Sequence, residues 1–331
     1  MQEQVDLDAL ARTLRISRGL TAKADIGLVA GRLGLSGKSA VPVGDDCAAL
    51  PDGDGFLLFA IEGFINEFVA GDPWFAGWCG VMVNISDIAA MGGRPLAVVD
   101  ALWADGEENA ASILAGMRAA SERFGVPIVG GHTNVRTDRS QLSVAILGRA
   151  TRLLTSFDAR PGDRLVVAID LRGRYRELFS NWEAATDAPA DRLRGDLEIL
   201  PRIAEADLSR AAKDISQGGI VGTAAMLAEC SGVAIAIDIR AVPRPEGAPL
   251  DRWLLTFPSF GYLLAVAPEN VAAVTRLFSE RDIAAADIGA VHTGNTVSIT
   301  DGVSTEIIWD FAQAPLIGAG GRARVAMGAV A

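Results

Sequence analysis

The residues able to do chemistry in this sequence are aspartates set beside glycines, and they recur in separate segments. Val43-Gly44-Asp45-Asp46-Cys47-Ala48 places two carboxylates side by side. Adjacent carboxylates repel one another, so the pair needs donors or a cation, and a magnesium ion at Asp45 and Asp46 would compensate the charge. A plain surface turn accounts for the same residues, since Gly-Asp-Asp is ordinary turn chemistry. In Asn84-Ile85-Ser86-Asp87-Ile88-Ala89-Ala90-Met91-Gly92-Gly93, helical spacing puts Asn84 and Asp87 about one turn apart on an otherwise apolar helix. Polar groups facing a core need partners, which capping or internal bonds could supply. An acid beside small residues equally lets a nucleotide or its metal come close.

Two more segments carry the same combination. Val129-Gly130-Gly131-His132-Thr133-Asn134 reads as a strand end whose glycines let backbone amides approach phosphate oxygens, with Thr133 as a further donor; a hairpin turn reads equally well. Lys213-Asp214-Ile215-Ser216-Gln217-Gly218-Gly219 stands at a helix start. There Asp214 or Ser216 could be the N-cap, or Asp214 could reach magnesium while the helix terminus, with Ser216 and Gly218, attracts phosphate. Arg18 and Lys23 could reach over such a site as phosphate clamps, or lie solvated on an amphipathic helix. Ser36-Gly37-Lys38-Ser39 imitates the end of a P-loop, but position 32 is arginine where G-x-x-x-x-G-K-[ST] requires glycine, so no such loop exists.

The elements that must position these residues are mixed. Helix-like spacing runs over 11–34 and again from Trp74 to Met91, stopped by Gly92-Gly93 and Arg94-Pro95. Strand patterns fall at Phe56–Ile61, Leu96–Leu102, Pro127–Val129 and Leu142–Leu147, with a helix over Ala110–Phe124. The turn cluster Ala159-Arg160-Pro161-Gly162-Asp163 leads into a strand at Arg164–Ile169. This predicts two domains, 1–150 and 151–331. In the second, a helix to Cys230 precedes strands at Val233–Ile239 and Tyr262–Val266 and a helix over Asn270–Ser279, while 170–210 has no clear pattern.

Composition bounds the function. With 331 residues, 50% hydrophobic and 21% charged, the chain can bury a sizeable core. A formal net charge of -11 repels nucleic acid and anionic membranes, so neither is expected as a partner. An anionic ligand must instead meet helix-start amides or carboxylate-held divalent cations. Cys47, Cys79 and Cys230 form no C-x-x-C pair and are too few for a disulfide framework; Cys47 reads as a small buried residue. The acidic start lacks a signal-peptide pattern and no apolar run approaches the ~18 residues that span a bilayer, so a cytoplasmic location is expected. Two histidines without zinc spacing leave a hard cation as the metal to expect.

Taken in order, GDDCAAL, NISDIAAMGGRP, GGHTN, ARPGD and DISQGG with AECSG resemble the serial motifs of the aminoimidazole ribonucleotide synthetase superfamily, over roughly residues 40 to 300. That superfamily includes thiamine-monophosphate kinase, selenophosphate synthetase, formylglycinamide ribonucleotide amidotransferase and a carbamoyl-thiol dehydratase. NISDIAAMGGRP with GDDCA looks most like the kinase branch. The resemblance implies an α/β fold of two domains: an N-terminal domain whose sheet pairs with that of a second subunit to close a barrel, and a C-terminal α+β domain. It implies magnesium and ATP as cofactors, a small-molecule acceptor, and a homodimer. In the matching motifs Asp45, Asp46, Asp87 and Asp214 look like metal ligands. Gly44, Asn84, Gly130, Gly131, Thr133, Ser216 and Gly218 look like nucleotide contacts, and Asp87, His132 and Lys23 are the catalytic candidates. His132 and Glu62 stand where the kinase keeps aspartates, and Glu62 is the candidate replacement ligand. No cysteine precedes Cys47, which disfavours selenophosphate synthesis. Clustered aspartates with glycine loops suit phosphoryl transfer, which requires charge neutralisation and in-line positioning. A kinase, a synthetase that later loses the phosphate, and a nucleotide-binding protein without catalysis are the three readings.

Overall fold

A computed structural model describes residues 5–35, 39–176, 179, 181–258 and 261–318; Ser36, Gly37 and Lys38 lie outside them. Three short helices open the chain, α1 (Leu7–Arg15), α2 (Arg18–Thr21) and α3 (Ala24–Leu33). The first sheet and its helices follow as β1 (Ala48–Asp52), β2 (Gly55–Gly63), α4 (Asn66–Gly71), α5 (Pro73–Ala90), β3 (Arg94–Asp105), α6 (Glu107–Phe124), β4 (Ile128–Asn134) and β5 (Arg136–Ala150). The strand order is β1-β2-β5-β3-β4, mostly antiparallel, with β3 and β4 parallel around the crossover helix α6.

The second half begins with β6 (Arg164–Ile169), β7 (Arg174–Arg176), β8 (Asn181–Glu183), α7 (Ala190–Leu197), α8 (Ile199–Glu205) and β9 (Ala211–Asp214). It continues through α9 (Gly219–Ser231), β10 (Ala234–Asp238), α10 (Leu250–Leu255), β11 (Phe257–Pro258), β12 (Gly261–Val266) and α11 (Val271–Ser279). It closes with β13 (Ala284–His292), β14 (Thr296–Thr300) and β15 (Thr305–Asp310). Seven strands form a sheet in the order β15-β14-β10-β13-β6-β12-β9, and β11-β8-β7 form a small third sheet.

Helix α5 is the centre of the molecule. Asp72 caps it by accepting from the Phe75 amide at 3.2 Å, Pro73 occupies its first turn, and fourteen of its residues are buried. Such all-round burial fits its place between the first sheet and β9 and α8 of the second half. Glycine makes the packing possible. A Cβ on Gly77 would fall 2.0 Å from the Ile113 carbonyl oxygen, and one on Gly116 would fall 1.8 Å from that of Trp74, so α5 and α6 touch backbone to backbone.

The β2 alternation buries Leu58 and Ala60 against α5 and turns Phe59 and Ile61 outward, 51% and 66% exposed. Val99 and Leu147 extend that outward face. One hydrophobic cluster joins the inner face of the first sheet to one face of the second, through Val166, Ala168, Tyr262 and Leu264. Another covers the opposite face of the second sheet with α9, and it includes Leu7, Leu10, Ala11, Leu14 and Leu20 from the first two helices. The N-terminal segment therefore packs with the second half.

Several element readings change. The helical spacing over 11–34 is broken into three helices, at Ile16–Ser17 and at Ala22–Lys23, and ends at Gly34. Gly130 and Gly131 lie inside β4, which runs on to Asn134, because β3 offers parallel partners through Trp103↔Asn134. The N-cap of α9 is Gly218, at φ 100°, without a side-chain bond; Asp214 ends β9, so neither it nor Ser216 is the cap. Residues 170–210 contain β7, β8, α7 and α8.

Candidate active site

Three segments far apart in sequence deliver carboxylates to one place. Asp46 comes from the turn before β1, Asp87 from the last turn of α5 and Asp214 from the end of β9; one carboxylate oxygen of each lies within 4.8 Å of the others. The backbone explains the convergence. β9 pairs with β12 through Tyr262↔Asp214, which aims the end of β9 at α5, and the Asp214 amide donates to Asp46 at 3.3 Å. Asp87 is 5% exposed and its Oδ2 has no partner. A buried carboxylate oxygen without a donor is costly, and an oxygen-liganded cation among three such groups removes that cost. The donor set fits magnesium.

Asp45 has a different environment from its neighbour. Its Oδ1 accepts from the Ser156 hydroxyl at 2.8 Å and the Ser156 amide at 3.1 Å, and its Oδ2 accepts from the same amide at 3.0 Å. Ser156 lies on the linker between the halves, and its carbonyl accepts from Ser231 at 2.8 Å. Asp45 thus ties the turn to the second half while Asp46 faces the other acids. Gly44, at φ 121°, sets the turn, and its carbonyl accepts from the Cys230 thiol at 3.7 Å.

Two lysines balance the acids. Lys213, 2% exposed on β9, forms an ion pair with Asp46. Burial opposes its charge, yet Asp46, Asp45 and Asp214 hold its pKa above the usual lysine range. Lys23, just before α3, is 9% exposed; its stem passes Gly222, whose added Cβ would lie 3.3 Å from Lys23 Cε. Burial, and then repulsion from Lys213, lower the Lys23 pKa to about 8. Burial followed by the Asp46 charge raises Asp45 to about 7, Glu62 to about 7 and Asp214 to about 8. Burial, then Asp214 and Glu62, push Asp87 well above the ordinary carboxylate range. Such displacement of several groups in one place marks a strained electrostatic site.

Asn84 is fully buried on α5, its amide nitrogen donating to the Gly80 carbonyl at 2.8 Å while Oδ1 has no partner. Gly218 touches Gly19 backbone to backbone, and Ser216 is half-buried in the loop before α9. The fold thus gathers Asp45, Asp46, Glu62, Asp87, Asp214 and Lys23. It sets Gly130, Gly131, His132 and Thr133 on exposed β4, at the far edge of the sheet from β1. There His132 stands beside Trp103, ring centroids 6.0 Å apart. Gly131 leaves room for Asp100, whose Oδ1 would lie 2.3 Å from an added Cβ.

Sequence reasoning missed Lys213, Ser156 and Asp100. A lysine inside the buried run Ala211–Ile215 was a readable signal, because buried ammonium groups need partners. Ser156 carried no signal, since its role is a contact 111 residues away in sequence.

Comparison with known proteins agrees with this architecture. Residues 44–150 match the family described as AIR synthase related protein, N-terminal domain, and residues 160–302 match its C-terminal domain. The uncharacterized protein sll0787 of Synechocystis is 46% identical over 309 residues, 92% of this chain and 96% of that protein. Thiamine-monophosphate kinase of Methanospirillum hungatei is 29% identical over 77% of this chain and 88% of its own. In structure, T. maritima PurL complexed with ATP superposes with a TM-score of 0.73 at 17% identity, over 97% of this chain, which spans about half of that one, 53%. Among the described residues no helix is long and apolar enough to cross a membrane. The chain belongs to the AIR synthase related family.

Proposed function

We propose that the protein is a magnesium- and ATP-dependent phosphotransferase acting on a small-molecule acceptor. The observation that carries this reading is the convergence of Asp46, Asp87 and Asp214, with oxygens within 4.8 Å, beside two buried lysines. The kinase relative and the ATP complex of a structural neighbour support it.

Asp46, Asp87 and Asp214 would hold magnesium, with Glu62 at their margin. Bound there, magnesium supplies charge neutralisation for the triphosphate and for the developing charge of transfer. Lys213 and Lys23 would share that role toward phosphate oxygens, and Lys213 also keeps Asp46 oriented. Asn84, with its free Oδ1 one turn before Asp87, accepts a hydrogen bond from a ligand donor or a water. Asp45 is a positioning residue, holding the turn on Ser156. Gly130, Gly131, Thr133 and His132 on the exposed edge strand would serve a phosphate or acceptor only with further elements closing over them. Ser216 and Gly218 would offer backbone groups at the start of α9.

The outward face of the first sheet supports a homodimer. Phe59, Ile61, Val99 and Leu147 are 38–66% exposed on one continuous face, and covering the part of each that is still open is worth roughly 1 kcal/mol. A second copy of the same sheet would cover it in a self-complementary way.

The test follows the label. With γ-labelled ATP and candidate acceptors, a phosphotransferase leaves the label on the organic product. Acceptor-dependent release of inorganic phosphate carrying an acceptor oxygen would instead indicate a synthetase, and absence of magnesium-dependent turnover with every acceptor would leave a nucleotide-binding role. Thiamine monophosphate is not the favoured acceptor, because His132 and Glu62 differ from the kinase pattern, and its efficient conversion would overturn that preference.

A further inference from the structure

Glu229 on α9 is 4% exposed, and its carboxylate takes three successive backbone amides: Leu316 at 2.9 Å, Ile317 at 2.7 Å and Gly318 at 3.2 Å. Charge-assisted bonds of this kind are about twice as strong as neutral ones. They fix the segment after β15 as a shelf, with Leu316 and Ile317 buried. Helix α3 rests on that shelf. A Cβ on Gly27 would fall 2.2 Å from the Ile317 carbonyl oxygen, so the first turn of α3 lies backbone to backbone on the latched segment. α3 has no fully buried residue; only its half-buried Ile26 packs against the second core. Lys23 sits at its N-cap position, between this contact and the Gly19–Gly218 contact of α2.

We propose that Glu229 is a positioning residue: by latching Leu316–Gly318 beneath α3, it holds Lys23 in place over the carboxylates of the site. The role given to Lys23 rests on the function proposed above, but its placement is a structural matter that can be read without turnover. Side chains held by few buried contacts open locally at low free energy, so removing the shelf frees Lys23 without unfolding the core.

Three variants interrupt the path at different points: Glu229→Gln, which turns one acceptor into a donor facing an amide; Gly27→Ala, which pushes α3 off the shelf; and a chain ended after Ala314. A chain ended after Gly321 keeps the latched amides and serves as control. Each protein is treated briefly with sulfosuccinimidyl acetate, and acetylation of Lys23 is measured by peptide mass spectrometry against Lys38, with circular dichroism melts confirming the fold. The expected result is an increase of about fivefold or more in Lys23 acetylation in all three variants and none in the control. Unchanged acetylation in folded Glu229→Gln, or in both folded Gly27→Ala and the chain ended after Ala314, would overturn the proposal. If either of that last pair fails to fold, the other decides for both. A changed acetylation pattern in a protein without any magnesium-dependent ATP turnover would leave the latch standing and remove the proposed function.

Discussion

Lys213 of β9 and Asp46 of the turn before β1 form an ion pair across the two halves of the chain, with side chains 3% and 4% exposed. Removing one partner of such a pair leaves an uncompensated buried charge, at a cost of about 3–5 kcal/mol. Lys213→Met is therefore expected to lower the Tm clearly, and saturating magnesium to restore more of it than it adds to the parent protein, because the cation then faces an unpaired Asp46. Thermal melts with and without magnesium check this; an unchanged Tm would show that the pair does not hold the halves together.

Asp46→Asn is expected to weaken ATP binding in the presence of magnesium by about an order of magnitude or more, since a carboxylate becomes a neutral ligand. Titration calorimetry of parent and variant gives the answer. Equal ATP affinity of the parent with and without magnesium would sink the metal-bridged site.

The metal-free protein should lose stability as pH rises. Asp45 and Glu62, raised to about 7, and Asp214, raised to about 8, bind protons more tightly when folded than the unfolded chain does near pH 4. The unfolded state thus binds fewer protons between pH ~4 and ~8, and the stability present below that window is lost across it. Magnesium should flatten or reverse this slope, because it favours the ionised carboxylates. Melts from pH 5 to 8 with chelator and with magnesium test the sign; a metal-free Tm that rises with pH would contradict it.

In solution the protein should have about twice the 34.6 kDa chain mass, and Phe59→Asp should reduce it to one. Light scattering at micromolar concentration measures both. A strictly monomeric parent that still binds ATP would refute the dimer.

Sequence by itself determined the elements with strong local signals. The end of α5 follows from Gly92-Gly93 and Arg94-Pro95, and β6 follows from the run Arg164–Ile169 behind a turn. It also determined which acids to watch, because adjacent or core-facing carboxylates are costly wherever they lie. Tertiary structure decided the rest. Only packing sets α1 in the second core, gives Asp45 to Ser156 and Asp46 to Lys213, and joins Glu229 to amides 87 to 89 residues away. Two neighbouring aspartates have the same local propensity, and what separates them is which distant donor the fold brings to each. Likewise the glycines of Gly130-Gly131 mark permissive backbone in sequence, but the parallel partner β3 keeps them within a strand and Asp100 fills the space left by one of them.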